Sequence, residues 1–323
     1  MTTPDTPQPM PIISVIVITY NSAAFVTDTL NSVYTQTYKG PMELIISDDC
    51  SDDATMKICR AWAETHSSAF LRIKITQTPH NSGICANYNH ALSHVSGEWV
   101  KYIAGDDMLE PQCIQRFIEQ TAFTADDMII SGVWCFHDLT GPRYLMKELL
   151  DRTDPSTQAR NLACAPAGIV EGPTFFIRTS TLKDMNGWDM SYPMLEDFPF
   201  AFRYTFSGRH ICVIKEPLVR YRVHKQSVSQ SHYGFRNMYF RAMYDARAKL
   251  AWRDRRYLYY WHNHVMSRVI SSPWKSRALY IRMLKCTDVY AWAVKVQSLV
   301  SSSLPRELCR AVSWRGIRHV WHR

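Results

Sequence analysis

The chain contains no C-x-x-C pair and no apolar run of the roughly 18 residues that a membrane-crossing helix needs. Its nine cysteines are an odd number and are scattered. That excludes a disulfide framework and a cysteine zinc site, and it points to a reducing compartment. The first ten residues, MTTPDTPQPM, lack both a basic start and an apolar stretch, so residues 1–10 read as a disordered leader rather than a signal peptide. No Gly-rich loop follows the first apolar run, where TYNSAA stands at residues 19–24. A dinucleotide-binding site would need G-x-G-x-x-G there, and a nucleotidyltransferase a Gly-rich, basic phosphate loop.

What is present is a core and an uneven charge. Of 323 residues, 46% are apolar, enough for one large domain with an extension, or for two domains. Residues 231–323 hold 18 Lys/Arg against Asp245, Asp254, Asp288 and Glu307, a net +14. The whole chain carries +8, which leaves −6 for residues 1–230. An acidic body with a basic tail divides chemistry from anchoring.

Residues 12–19 (IISVIVIT) are β-branched and continuous, the pattern of a strand buried on both faces. A helix is expected from Asn21-Ser22 to about Tyr34, then a strand at 43–47, a helix at 51–65, a strand at 71–76, a helix at 83–94 and a strand at 98–104. This alternation predicts an α/β fold: a Rossmann-like, mostly parallel sheet with helices on both faces. Further strands are expected at 128–136, 172–178, 210–214 and 218–223, with a helix at 196–206 ending at Gly208. Residues 138–167 read as an irregular loop, a candidate lid.

In such sheets ligands meet the carboxyl ends of the strands. Three polar clusters fall there: Thr19-Tyr20-Asn21, Asp48-Asp49 and Asp106-Asp107. A lone Asp-Asp is more often a plain turn. Beyond an apolar strand, hard carboxylate oxygens suit Mg²⁺ or Mn²⁺ bound with a diphosphate. A carboxylate at Asp48-Asp49 can accept a base N–H and a ribose hydroxyl, with a helix cap or a turn as the competing reading, the one preferred for Ser51 and Asp52. Glu196 and Asp197 open a helix, where the dipole favours an ionised carboxylate; beside a bound hydroxyl it can act as a general base.

Six segments in this order, SVIVITYN, IISDDCSDD, HNSGICANYNHAL, YIAGDD, FFIRTSTLKDMNGWDMSYPMLED and YRVHKQSVS, resemble the GT-A fold inverting glycosyltransferases of family 2, of the bacterial surface-polysaccharide type. The resemblance covers about residues 12–229. It implies a transferase that moves a sugar from a nucleotide-diphosphate donor, UDP-linked by expectation, to a hydroxyl of a glycan or lipid-linked acceptor. It implies that Thr19, Tyr20, Asn21, Asp49, Asn81, Gly83, Asn89 and Asp106 contact the donor. Asp107, with Asp106 and His224, would hold Mn²⁺ or Mg²⁺, Asp107 most directly. Asp197 would be the base, with Glu196 its acidic neighbour. Two departures stand out. Cys50 occupies a position where many relatives have Gly, and Ala86-Asn87-Tyr88 carries no basic residue.

The domain expectation is a catalytic domain at 11–230 and a basic, aromatic helical extension at 231–323. Residues 278–300 pattern as an amphipathic helix, and Arg253-Asp254-Arg255-Arg256 beside residues 257–261 reads as interfacial. The expected location is cytoplasmic, with peripheral contact on the anionic inner face of the plasma membrane. Helical packing on the catalytic domain is the competing reading. Two rivals are a nucleotidyltransferase and a nucleic-acid binder that uses the tail; the second leaves the acidic clusters unexplained.

Overall fold

The computed structural model describes residues 9–145, 150, 153–164, 170–224 and 233–270. The expected helix at 278–300, residues 1–8 of the leader, and 225–232 lie outside them. The chain divides into two compact units, 1–239 and 240–323.

The first unit is built on β1 (Ile13–Thr19), β2 (Met42–Asp48), β3 (Arg72–Gln77) and β4 (Trp99–Ala104), which run parallel in the order β3-β2-β1-β4. Both faces are covered, and that is why β1 and β2 are buried at every position. The crossovers are α1 (Val26–Tyr34), α2 (Thr55–His66) and α3 (Ile84–Leu92). Beyond β4 the sheet turns mixed. It continues through β8 (Phe176–Arg178), antiparallel to β4, then β6 (Met128–Phe136), β9 (Cys212–Arg222) and β5 (Met108–Leu109). Helix α4 (Cys113–Thr121) follows β5, and α6 (Thr179–Asp184) follows β8. The core joins Val15, Val17, Leu44 and Ile46 of the parallel strands to Ile114, Phe117 and Phe176.

At the amino ends of these strands a buried carboxylate ties four segments together. Glu43 accepts from the Ser14 hydroxyl (2.5 Å), Arg72 Nε (2.7 Å), and the Ser96 amide and hydroxyl (2.7 Å each). Burial alone would raise its pKa, but the Ser14 and Ser96 hydrogen bonds and Arg72 outweigh that and hold it at about 2.

The structure differs from the sequence reading in three places. Residues 138–167 contain β7 (Tyr144–Leu145), paired with β6, and α5 (Pro155–Cys164). Asp154 starts α5 by accepting the Ser156 and Thr157 amides, with Pro155 opening the helix. Buried Ala159, Leu162 and Ala163 pack it on α7 (Asp197–Phe206), so this part of the expected lid is core. The two short strands expected at 210–223 are one strand, β9, with a register shift beside Gly132, where a side chain would meet the Lys215 carbonyl at 2.9 Å. Residues 172–174 form a 3₁₀ turn before β8.

In the second unit, α8 (Tyr233–Arg253, entered from the first unit) turns into α9 (Tyr257–Ile270). Among the described residues no helix is long and apolar enough to cross a membrane.

Candidate active site

Gly105 ends β4 against β1. Its amide donates to the Ile18 carbonyl, and a side chain there would strike Thr19 Cγ2 at 2.8 Å. Asp106 and Asp107 are thereby fixed at the carboxyl edge of the sheet. Pairing of β5 with β9 brings Arg222 and His224 to them from more than a hundred residues away. His224 Nε2 lies 2.9 Å from Asp106 Oδ2, and both side chains are half-buried. Asp107 is only 1% exposed. Its Oδ1 accepts the Arg222 amide at 2.8 Å, and its carbonyl accepts the Thr29 hydroxyl. Burial, then the charge of Asp106, push the Asp107 carboxyl well above the usual carboxylate range. The Arg222 side chain donates to the Asp106 carbonyl (2.8 Å) and pairs with Asp28 (2.9 Å), packed against the rings of Phe25 and Phe136. Among the described residues no group of three or more His, Cys, Asp or Glu side chains is assembled as a metal cage.

One strand over, the Thr19 hydroxyl donates to Asp48 Oδ1 (2.8 Å), and the Asp49 amide donates to the Thr19 carbonyl (2.8 Å). Tyr20 is exposed. Asn21 stands at φ +49°, and its side-chain oxygen accepts the Asp52 amide, clasping the two loops. Asp49 Oδ1 accepts the Thr78 hydroxyl (2.7 Å) and the Ser82 amide (2.9 Å), and Oδ2 accepts the Gly83 amide (2.8 Å). Oδ1 is therefore saturated, and only Oδ2 retains a lone pair for another donor. Asp49 holds the loop that contains exposed Asn81 and half-buried Gly83. Both ends of the Asn89 amide engage the Trp188 backbone, at 2.9 Å each, so it fastens α3 to the loop after α6.

Gly83 (φ +89°) also touches the Pro193 carbonyl, and the Cys85 amide donates to that carbonyl at 3.1 Å. This joins the loop held by Asp49 to the segment that ends at Glu196 and Asp197. The two acids meet a third, Glu171, whose neighbour Gly172 lies so close to Glu196 Oε1 that a side chain there would overlap it. Burial, then the charge of Asp197, push Glu171 and Glu196 up to about 8. Asp197 is also raised by burial, but to about 6 only, because the Phe198 and Gly172 amides favour its charged form. Burial and the charge of Asp197 thus favour the protonated form of Glu171 and Glu196, while the backbone amides at the helix start favour the charged form of Asp197. Tyr88 is 1% exposed, and its hydroxyl is pushed far up by burial, then by Glu196, Asp107 and Asp106.

A sequence model of glycosyl transferase family 2 matches residues 14–185, more than half of the chain. The chain belongs to glycosyl transferase family 2. That match runs from β1 to the end of α6 and takes in Asp49, Asp106, Asp107 and Glu171. Among its relatives are EpsE of Bacillus subtilis (35% identical over 113 residues, 35% of this chain and 38% of that one) and EpsH of the same organism (26% over 230 residues, 69% and 64%). The matches thus span less than two thirds of the length of either relative. The catalytic fragment of Staphylococcus aureus TarS solved with UDP-GlcNAc superposes with a TM-score of 0.58 at 22% identity, covering 72% of this chain and 66% of that one. A Pyrobaculum calidifontis mannosyltransferase solved with GDP-Man and Mn²⁺ gives 0.52 at 18% identity, covering 98% and 88%. These likenesses establish the GT-A-like fold, and the matches give no support to the nucleotidyltransferase or nucleic-acid readings.

Four residues to which the sequence reading gave no role stand among the candidate site residues. Glu171 joins the base cluster and Arg222 organises the acidic pair. Asn87 spans the ends of β1 and β2, donating to the Ser47 carbonyl at 2.9 Å. Lys101, wholly buried, donates to the carbonyls of Pro173 and Phe175, holding the turn that follows Glu171; burial lowers its pKa to about 8. A lysine inside an apolar strand was the one available signal, since a buried cation must have partners.

Proposed function

We propose that this protein transfers a sugar, with inversion, from a UDP-sugar to a hydroxyl of a growing surface glycan or its lipid-linked precursor, with Asp197 as general base. One observation carries the reading. The helix start that bears Glu196 and Asp197 and the acidic pair Asp106-Asp107 both stand near one buried hydroxyl, that of Tyr88, which burial, then Glu196, Asp107 and Asp106, push far up. Family membership supports sugar transfer, and the TarS complex with UDP-GlcNAc supports the donor class.

The donor set suits a hard divalent cation. Asp106 and His224 offer an oxygen and a nitrogen, and Asp107 keeps one oxygen free of the Arg222 amide. Burial, then the charge of Asp106, penalise the charged form of Asp107, and a cation would offset both. Asp106, Asp107 and His224 are the proposed holders of Mn²⁺ or Mg²⁺. Bound there, the cation would neutralise charge developing on the diphosphate.

The chemistry assigned to the chain is then direct. The acceptor oxygen attacks the anomeric carbon, the bond to the diphosphate breaks on the opposite face, and the acceptor proton passes to Asp197. Proton transfer is concerted with attack, because an alcohol is too weak an acid to ionise first. Glu196 and Glu171, protonated, add no like charge while the proton moves. Thr19, Tyr20, Asn21, Asp49 Oδ2, Asn81 and Gly83 are proposed to receive the nucleoside and diphosphate. The domain boundary is proposed near 230, and the location is the cytoplasmic face of an anionic membrane.

The test is a donor panel with and without Mn²⁺, scoring nucleoside diphosphate release. Asp197→Asn should lose roughly 10²–10⁴-fold in transfer yet still bind donor. Asp107→Ala should lose transfer and metal response together. Normal turnover by Asp197→Asn would remove it as the base.

A further inference from the structure

The corner between α8 and α9 presents a surface that neither the fold nor the catalytic site uses. Trp252 is 59% exposed, Tyr257 52% and Trp261 61%. Their rings form one array with Tyr260, with centroids 5.0 Å apart for Trp252–Tyr260 and 5.7 Å for Tyr260–Trp261. Arg253 and Arg255 are exposed beside them and Arg256 is half-buried, against the single acid Asp254. Among the described residues, α8 buries Ala242, Met243, Ala246, Ala248, Leu250 and Ala251, while Trp252, Tyr257 and Trp261 stay exposed.

The backbone adds a second observation. α8 ends with the Arg256 amide bonded to the Ala251 carbonyl at 2.7 Å, a closure that places the residue before Arg256 in the left-handed region. That residue is Arg255, at φ +57°. Glycine is the usual occupant because it alone takes this conformation without steric cost. A strained residue whose side chain points to solvent indicates a role for that side chain rather than for the fold.

We propose that this corner, residues 252–261, is a docking surface for an anionic lipid bilayer. The Trp and Tyr rings would enter the headgroup layer, and the arginines would pair with lipid phosphates. Charge complementarity selects this partner: three arginines against one acid, within a tail carrying net +14. The proposal deepens the membrane-face reading above, naming where contact is made, and it does not depend on the identity of the transferred sugar.

The experiment uses the full chain without donor or metal, mixed with vesicles of phosphatidylcholine alone or with about one third phosphatidylglycerol, and followed by co-sedimentation. Wild type should bind the anionic vesicles only. Trp252→Ser/Trp261→Ser should bind at least about tenfold more weakly. Arg255→Gly should melt no lower than wild type yet bind about fivefold more weakly, the loss of one near-surface charge worth about 1 kcal/mol. Donor turnover with a water-soluble acceptor should be unchanged in both variants, so a failed transferase reading and a failed docking reading remain separable. Equal binding to both vesicle types, unchanged binding by the variants, or a self-association that the Trp variants abolish would overturn the proposal.

Discussion

At Cys50 the backbone stands at φ +62°, in the region where an L side chain is strained. Glycine takes this conformation without steric cost. Replacing Cys50 with Gly should remove strain of about 1 kcal/mol and raise the melting temperature by about 2–4 °C, read by calorimetry. An unchanged or lower melting point would mean that the thiol makes a compensating contact. Glu171 is the other residue that invites substitution. Burial and the charge of Asp197 favour the protonated Glu171 carboxyl, so the neutral amide of Glu171→Gln should leave the acid limb of the kcat/KM profile in place; a shift of that limb to lower pH would mean that Glu171 carries charge beside the base.

The β-strands are fastened at both ends, and each fastening is an element-scale device. At the amino ends Glu43 gathers β1, β2, β3 and the turn before β4. Its folded pKa of about 2 is depressed, so its stabilisation is present above the unfolded value and is lost as pH falls through about 2. Glu43→Gln should cost about 3 kcal/mol at neutral pH by leaving buried donors without a charged acceptor. Urea unfolding at pH 7 checks this, and a change below about 1 kcal/mol would refute the staple role. At the carboxyl ends Arg222 does the same for the turn that carries Asp106 and Asp107, while Asp49 holds the loop before α3. Those ends are where ligands meet this class of sheet, so the lower staple leaves the upper one free to serve chemistry.

For the whole molecule, the acid cluster governs how stability varies with pH. Glu171 and Glu196 have folded pKa values raised to about 8, so between the ordinary carboxylate range and pH 8 the folded state holds protons that the unfolded state has lost. Stability from this source therefore falls as pH rises from about 5 to 8. The melting temperature should drop over that interval, and Glu171→Gln/Glu196→Gln should flatten the slope. Addition of Mn²⁺ should raise the melting point at pH 7.5, and a chelator should reverse it; no response would argue against the acidic pair as the metal holder. The parallel strands and the three polar clusters were legible in the sequence because each is a local signal, a β-branched run followed at once by polar residues. The helix α5 was not: Asp154-Pro155 marked its start, but the polar stretch around it read as loop until packing on α7 buried its small apolar side. The bonds of Asn89 to the Trp188 backbone were not legible either, because the two residues are about a hundred positions apart.

By itself the sequence determined the family, the alternation that builds the sheet, and the carboxylates available for chemistry, since these follow from residue type and spacing. The tertiary structure alone decided which of those carboxylates are buried and which neighbours shift their titration. It packed Glu171 and Glu196 around Asp197 and brought Arg222 and His224 across the sheet to Asp106 and Asp107. Burial and long-range charge act through space, and neighbours in space are not neighbours in the chain.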